Sequence, residues 1–340
     1  MNLNNSLTER NFEYIYVEKD VINSDITANI LEHFANSKIV VIDHYKDVFN
    51  RKQKISDTFN KPRKLIIASK KGQKVYKGAP VCQDFGNAHF FYTSCIMNCI
   101  YNCEYCYLKG MYPSKDIVIF VNIEDIFEEV KKLLREYPVY LCVSYDTDLM
   151  ALEDITGFIA KWNDFVIDNP NLLIEIRTKS ANTKIFKDLN LSKRLIFAYT
   201  ISPDEIIDRF EHFSARLDDR INAINTAISH NLEVRLCFDP ILYDKDFEKI
   251  YSRMLDKIIC KIDLKKIKDV SVGSFRISDS YLKNIRNAEK NSSIVQYPFD
   301  LDKGYYHYPY KLAEKMENFI TDRLLFERSD LPIFRWEDRL

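Results

Sequence analysis

The chain has 340 residues, of which 46% are hydrophobic, 13% aromatic and 29% charged. That mixture excludes intrinsic disorder as a global description and supplies enough apolar side chain for a sizeable core. With seven Gly and neither a G-x-G-x-x-G nor a Walker A sequence, the chain disfavours a glycine-rich phosphate loop as the catalytic device. A formal net charge of -1 gives no overall pull toward nucleic acid, so such contact must come from a local patch.

At the N-terminus, Met1 to Asp20 is polar and charged with no apolar h-region, and nowhere do eighteen apolar residues run together. Neither secretion nor membrane spanning is expected, and a cytoplasmic location follows as the expectation. In that setting the eight Cys are expected as reduced thiols with metal or catalytic use, not as disulfides. Between Arg51 and Lys77, ten Lys or Arg face one acid, Asp57. This basic patch reads either as a solvated face or arm, or as a contact for a polyanion.

From His89 onward, apolar runs of strand length alternate with amphipathic runs of helix length, the pattern of a βαβ series. Strands are predicted near 88 to 94, 138 to 146, 172 to 179, 194 to 202, 233 to 241 and 269 to 277. Helices are predicted at 123 to 137, 152 to 167, 218 to 229 and 246 to 259, and Ile117 to Val121 reads as a small strand outside the series. The fold class expected is α/β, a partial (β/α)6 TIM-like barrel with an N-terminal α/β extension. The divisions are 1–86 for the accessory region with the basic patch, 87–285 for the barrel and 286–340 for a Tyr-rich C-terminal extension. An active site at the C-terminal strand ends follows from that architecture.

The most informative segment is SCIMNCIYNCEYCYLKG from Ser94 to Gly110, which holds Cys95, Cys99, Cys103 and Cys106. Cys99, Cys103 and Cys106 form C-x3-C-x2-C in a loop directly after the first predicted barrel strand, a spacing that wraps three thiolates around a 4Fe-4S cluster. Three ligands leave one iron open to the amino and carboxylate groups of S-adenosyl-L-methionine, so that the cofactors carry radical chemistry and the protein aims it. A structural zinc site with all four thiolates is the competing reading, although such sites usually join two knuckles through a longer spacer. Cys95 reads as a bystander, because a motif begun there needs a thiol at 102, where Asn102 sits.

The arrangement is the radical S-adenosylmethionine signature, and its context resembles the spore photoproduct lyase family. The likeness is carried by CEYCYLKGMYPS from Cys103, IVIFVNIEDIF from Ile117, EIRTK from Glu175, the stretch Phe197 to Pro203, and HFSARLDDRINAINTAISHN from His212. It implies a radical SAM lyase in which a 5'-deoxyadenosyl radical abstracts hydrogen from a cross-linked thymine dimer in UV-damaged DNA and the methylene bridge then breaks. It implies a reductase such as flavodoxin or ferredoxin as electron source. It also implies that Cys99, Cys103 and Cys106 are the cluster ligands and that Tyr105 and Tyr107 are the paired tyrosines of a hydrogen-atom relay. Lys179 is implied as the lysine facing the cofactor carboxylate, with Thr147 and Thr200 as small polar contacts to the cofactor.

One departure from the family pattern stands out. The family carries a hydrogen-donating Cys at the end of the second barrel strand, whereas this sequence reads LCVSYDTDLMAL from Leu141. Alignment on Asp148 puts Tyr145 at the donor position, with Cys142 three residues earlier. Because side chains alternate along a strand, Tyr145 inside the barrel places Cys142 in the outer layer unless a bulge intervenes. Tyr145 is thus the expected donor or relay residue, with pocket shaping and a bulge that turns Cys142 inward as alternatives. Near the C-terminus, KGYYHYPYK from Lys303 to Lys311 interleaves aromatics with charge and reads either as a base-stacking face or as a packed core edge. The missing donor Cys keeps open a radical enzyme of the same scaffold with another substrate, and a non-enzymatic zinc or DNA-binding protein is the third reading.

Overall fold

The computed structural model describes residues 12–51, 63–79 and 82–336. In chain order the first strands are β1 (Tyr14–Glu18), β2 (Lys38–Ile42), β3 (Leu65–Ala68) and β4 (Val75–Lys77). There follow β5 (Phe90–Thr93), β6 (Ile96–Met97), β7 (Ile117–Phe120), β8 (Val139–Cys142), β9 (Leu172–Thr178), β10 (Leu195–Thr200), β11 (Glu233–Ile241) and β12 (Asp269–Ser274). The last are β13 (Arg276–Ser278), β14 (Asp300–Asp302), β15 (Tyr305–His307) and β16 (Ile333–Arg335).

The larger sheet has the order β16-β12-β11-β10-β9-β8-β5-β4. Its inner six strands, β5 and β8 to β12, pair in parallel and match the six expected from the apolar runs. Such strands read as near-continuous hydrophobic runs because helices cover one face and their own fellows the other; LIFAYT of β10 is buried at every position. β4 adds antiparallel at one edge and β16 parallel at the other, and the sequence pattern signalled neither. A second sheet, β2-β1-β3-β7-β6, holds the N-terminal region. Here β7 finds its place, with Leu65 opposite Ile117 in a parallel pair, so the run outside the barrel series belongs to a sheet that begins at residue 14.

Helices Ile123–Leu134, Leu217–Ser229 and Phe247–Lys261 lie where the periodicity predicts them. The run expected as one helix over 152 to 167 is two, Glu153–Thr156 and Phe158–Asp168, because Gly157 at φ 61 breaks the hydrogen-bond ladder with a left-handed residue. Alternation along the barrel strands sorts the layers. Leu141, Ile174, Phe197, Val234 and Val270 enter the large apolar core beneath the helices. The intervening residues face the concave interior, where Arg235 of β11 donates to Tyr140 Oη of β8 and Glu175 Oε2 of β9, each at 2.5 Å, across strands that are not neighbours.

The Tyr-rich segment is mostly a packed edge. Tyr308 is fully buried among Tyr243, Tyr297 and Phe299, and its hydroxyl accepts the Tyr243 N–H at 3.1 Å. Of its tyrosines only Tyr310 is largely exposed, and it donates to Asp302. Of the two readings of this segment, the packed edge is the one that holds for Tyr308, whose ring is buried.

Candidate active site

The segment 94 to 112 is held in place before any ligand is considered. Asn98 adopts a left-handed φ of 67, tolerated because its side-chain amide donates to the carbonyls of Ser114 and Asp116 at 2.8 Å each. Arg63 donates to the carbonyls of Cys99, Ile100 and Tyr101 at 2.7, 2.8 and 3.1 Å, which satisfies three backbone acceptors in the stretch 98–107, which has no strand or helix of its own. The N–H groups of Asn102 and Glu104 donate to His212 and Phe210, so the loop is fastened to residues 210–212. Gly110 lets the short helix Leu108–Met111 touch the helix Asp279–Ala288, since a Cβ there would stand 2.5 Å from the Tyr281 carbonyl oxygen.

Cys99, Cys103 and Cys106 lie on this loop within electrostatic reach of one another, and burial pushes the Cys103 thiol up to about 11 and that of Cys99 upward as well. Among the described residues no three Cys, His, Asp or Glu side chains converge tightly enough for one metal ion. A cluster that takes one thiolate per iron needs no such convergence, whereas a single structural zinc does. The donor set, three thiols from one loop, fits the former. Cys95 differs: it is fully buried, and Lys70 is the charge that acts on its thiol.

Beside Cys103 stands a buried charge network. Lys179 Nζ is 3.8 Å from Cys103 Sγ, donates to Tyr105 Oη at 2.7 Å and lies 3.4 Å from Glu211 Oε1. Tyr105 in turn donates to Glu211, which also accepts from Ser202 Oγ at 2.7 Å and from Arg220 Nη2 at 2.5 Å. Burial alone would raise the Glu211 carboxyl, but the Lys179 and Arg220 charges outweigh it and hold the group well below the usual carboxylate range. Asp148 anchors the backbone of Lys179 by accepting its N–H at 2.7 Å and the Thr178 hydroxyl at 2.8 Å. Thr200 is buried on the interior side of β10 and Thr147 follows β8, its hydroxyl buried with no hydrogen-bond partner among the described residues. An orphaned buried hydroxyl beside such a network suits a polar ligand.

Tyr107 points the other way. Its hydroxyl donates to the Tyr145 carbonyl, and the two rings lie 5.7 Å apart. Tyr145 stacks on Tyr92 at 4.1 Å, and its own hydroxyl lies 3.6 Å from Cys82 Sγ. Cys142 does not sit in the outer layer as strand alternation from Tyr145 required. It shares the interior face of β8 with Tyr140 and is acted on by Glu175, Arg177 and Cys82. The physical reason is that β8 ends at Cys142, and the chain then crosses through an isolated bridge of Ser144 to Ser94, so two-residue alternation no longer governs Tyr145. Both side chains reach the barrel interior.

The basic patch is partly dismantled by folding. Lys70 is buried and donates to the Ser94 carbonyl at 2.8 Å, Arg63 is spent on the cluster loop, and Lys71 pairs with Asp20 at 3.0 Å. Its residues 52–62 lie outside the described part of the chain. Sequence reasoning missed Glu211, Arg220, Arg63 and Cys82. Glu211 and Arg220 flank or lie within a segment that the resemblance had already singled out, whereas nothing local distinguishes Cys82.

Comparison with known proteins agrees with this geometry. A family model described as spore photoproduct lyase matches residues 11–298. The spore photoproduct lyase of Clostridium acetobutylicum is 20% identical over 295 residues, covering 84% of this chain and 85% of the relative. That of Bacillus subtilis is 21% identical over 254 residues, covering 72% of each. Among solved structures, a spore photoproduct lyase complexed with dinucleoside spore photoproduct superposes with a TM-score of 0.81 at 16% identity, over 95% of this chain and 98% of that one. A variant of spore photoproduct lyase with bound AdoMet and dinucleoside spore photoproduct gives 0.80 at 17% identity with the same coverage.

Proposed function

The chain belongs to the spore photoproduct lyase family of radical SAM lyases, and from that premise we propose that it reverses a thymine photoproduct in DNA to two thymines. The observation that carries the reading is the placement of Cys99, Cys103 and Cys106 on one pinned loop with Lys179 beside Cys103, together with a buried Thr147 hydroxyl that has no hydrogen-bond partner among the described residues and is next in sequence to Asp148, which holds the Lys179 backbone. On this reading the three thiolates hold a 4Fe-4S cluster, while Lys179, Thr147 and Thr200 hold S-adenosylmethionine. When bound, these groups supply the radical that starts the reaction.

What the chain itself does follows from the geometry. Lys179 keeps a full positive charge because Cys103 and Glu211 more than offset its burial, so it can pair with the carboxylate of an amino acid moiety. Glu211 and Tyr105 fix the ammonium group in position. The same resemblance assigns a relay to Tyr105 and Tyr107, but their partners here differ in kind: the Tyr105 hydroxyl is bound to a carboxylate and an ammonium, and that of Tyr107 to the backbone carbonyl of Tyr145. Next to the polar concave face built by Tyr140, Glu175, Arg235 and Asp269, Arg177 near the end of β9 pairs with Glu175 at 3.3 Å and keeps about a third of its side chain exposed. It is the side chain placed to meet a phosphate of the lesion.

DNA is the macromolecular partner on this reading, and a reductase such as a flavodoxin or ferredoxin is the electron source. No helix among the described residues is long and apolar enough to cross a membrane. The deciding experiment is anaerobic incubation of reconstituted protein with reductant, S-adenosylmethionine and dinucleoside spore photoproduct. Formation of two thymidines is the expected result. Cleavage of the cofactor with the lesion untouched points instead to the second reading, a radical enzyme of this scaffold with another substrate.

A further inference from the structure

The cluster loop faces the Lys179 network on one side, and on another it borders an open cleft. Arg63, Cys99, Tyr101, Cys106, Lys109 and Lys115 line that cleft, and none of Lys179, Tyr105, Glu211 and Arg220 does. Cys103, the thiol beside Lys179, is buried, whereas Cys99 and Cys106 keep partial exposure. The thiols that line the cleft are thus the two within reach of the outside.

Positive charge collects at the same place, in a chain whose net charge is -1. Arg63, Lys109 and Lys115 supply cations to the lining, and no carboxylate among the described residues does. Burial and then the positive charge of Arg63, with a smaller push from Lys109, hold the Lys115 amine below its ordinary value against the pull of Asp116. Arg63 and Lys109 therefore both lie within electrostatic reach of Lys115. Two acids moderate the charge from outside the lining: Glu289 pairs with Lys109 at 2.6 Å, and the buried Asp116 accepts the Lys64 N–H at 3.0 Å. The balance stays positive. A cleft lined by one sign of charge focuses its field on an incoming partner of the opposite sign.

DNA and acidic proteins both carry that sign, and the position of the thiols separates them. A lesion has to reach the concave interior beside Lys179, whereas an electron has only to reach the cluster, and electron passage falls off steeply with distance. We propose that this cleft is the docking surface for an acidic one-electron carrier protein, and that the electron enters past Cys99 and Cys106. This rests on the reading of Cys99, Cys103 and Cys106 as cluster ligands and not on the identity of the lesion. At each docking one electron passes from the carrier, which is oxidised, to the cluster, which is reduced; no bond is made or broken and no proton moves. Lys109 and Lys115 steer the carrier, while Arg63, bonded to the carbonyls of Cys99, Ile100 and Tyr101, holds firm the loop on which it lands. Electron-transfer encounters of this kind are small and transient, and charge at their rim acts mainly on the rate of association.

The test uses cluster-loaded wild type, Lys115→Gln, Lys115→Glu and Lys249→Glu. Lys249 is exposed on the helix Phe247–Lys261 and outside the lining, so its variant repeats the change in net charge elsewhere. Each protein is mixed anaerobically with reduced flavodoxin, with reduced ferredoxin or with photoreduced 5-deazariboflavin, a small reductant that needs no docking surface, and cluster reduction is followed by stopped-flow spectroscopy. With the carriers at low salt, the second-order rate should fall several-fold in Lys115→Gln and about tenfold or more in Lys115→Glu, and stay at the wild-type level in Lys249→Glu. Rates with deazariboflavin should stay within about twofold in all four proteins. Added salt should bring the wild type down toward Lys115→Glu, and calorimetric titration with oxidised flavodoxin should show weaker binding to Lys115→Glu. Equal losses with deazariboflavin would make these cations tuners of the cluster, and weakened binding of a lesion-containing oligonucleotide with unchanged carrier rates would make the cleft a DNA contact. Either result overturns the docking surface alone, as does a wild type that deazariboflavin reduces and neither carrier does. Wild-type protein that takes up no iron and sulfide overturns the cluster reading and this proposal together.

Discussion

Tyr105 and Tyr107 are two residues apart on the same loop, yet they face different physical worlds. Tyr105 lies between an ammonium and a carboxylate, with Lys179, Glu211 and Arg220 all buried around it. Tyr107 lies against a backbone carbonyl, a second tyrosine and, beyond it, a thiol; its hydroxyl is bonded to the backbone, although the buried Asp146 carboxylate acts on both tyrosines. On the proposed reading, the difference teaches how one short loop serves two tasks. A charged ligand is fixed by groups whose burial makes each unpaired partner costly, whereas hydrogen-atom transfer needs neutral O–H and S–H bonds close together and no net charge to move.

Breaking the charged side should cost most. Glu211→Ala leaves Lys179 and Arg220 buried without their carboxylate, and a loss of about 3–5 kcal/mol in unfolding free energy is expected, read by chemical denaturation. Tyr145→Phe on the neutral side removes one weak interaction with Cys82 and should cost less than about 1.5 kcal/mol. Equal losses would show that the two sides do not differ in this way.

A pH series sharpens the same contrast. Because the folded carboxyl of Glu211 is held below its unfolded value, its contribution is fully present above the unfolded value of about 4.3. It is lost as pH falls through that value toward the folded one. Glu211→Gln should therefore flatten the loss of stability on acidification below about pH 5, while Tyr145→Phe should leave the acid limb unchanged. A wild-type slope in the Gln variant would mean that other carboxylates carry the acid transition.

Binding separates the two tyrosines themselves. Tyr105→Phe withdraws the hydroxyl that Lys179 bonds at 2.7 Å, so affinity for S-adenosylmethionine in the cluster-loaded protein should fall several-fold. Tyr107→Phe should leave that affinity alone and lower only turnover. Cluster loading, followed as iron and sulfide content, should survive both changes and fail in Cys103→Ala. The smallest effect belongs to the surface. Replacing Lys71 and Lys74 by Ala should reduce the salt dependence of DNA binding by at most about 0.9 in slope for each phosphate no longer neutralised, and Lys70, being buried, should contribute nothing by charge.

The sequence alone was enough for the six parallel strands, their helices and the three thiols, because hydrophobic periodicity and a short cysteine spacing are local properties that survive in any context. It was also enough to mark Lys179 and the Tyr105–Tyr107 pair through a resemblance carried by contiguous motifs. Tertiary structure alone decided the rest. Glu211 meets Lys179 across 32 residues of chain, Arg63 reaches Cys99 across 36, and Cys82 meets Tyr145 across 63. It also decided that Lys70 of the basic run is buried, that Tyr308 turns inward and that Cys142 faces the interior, since a strand's alternation stops where its ladder stops. Such pairings depend on where two distant segments are brought by the barrel, and neither segment carries in its own composition any record of the other.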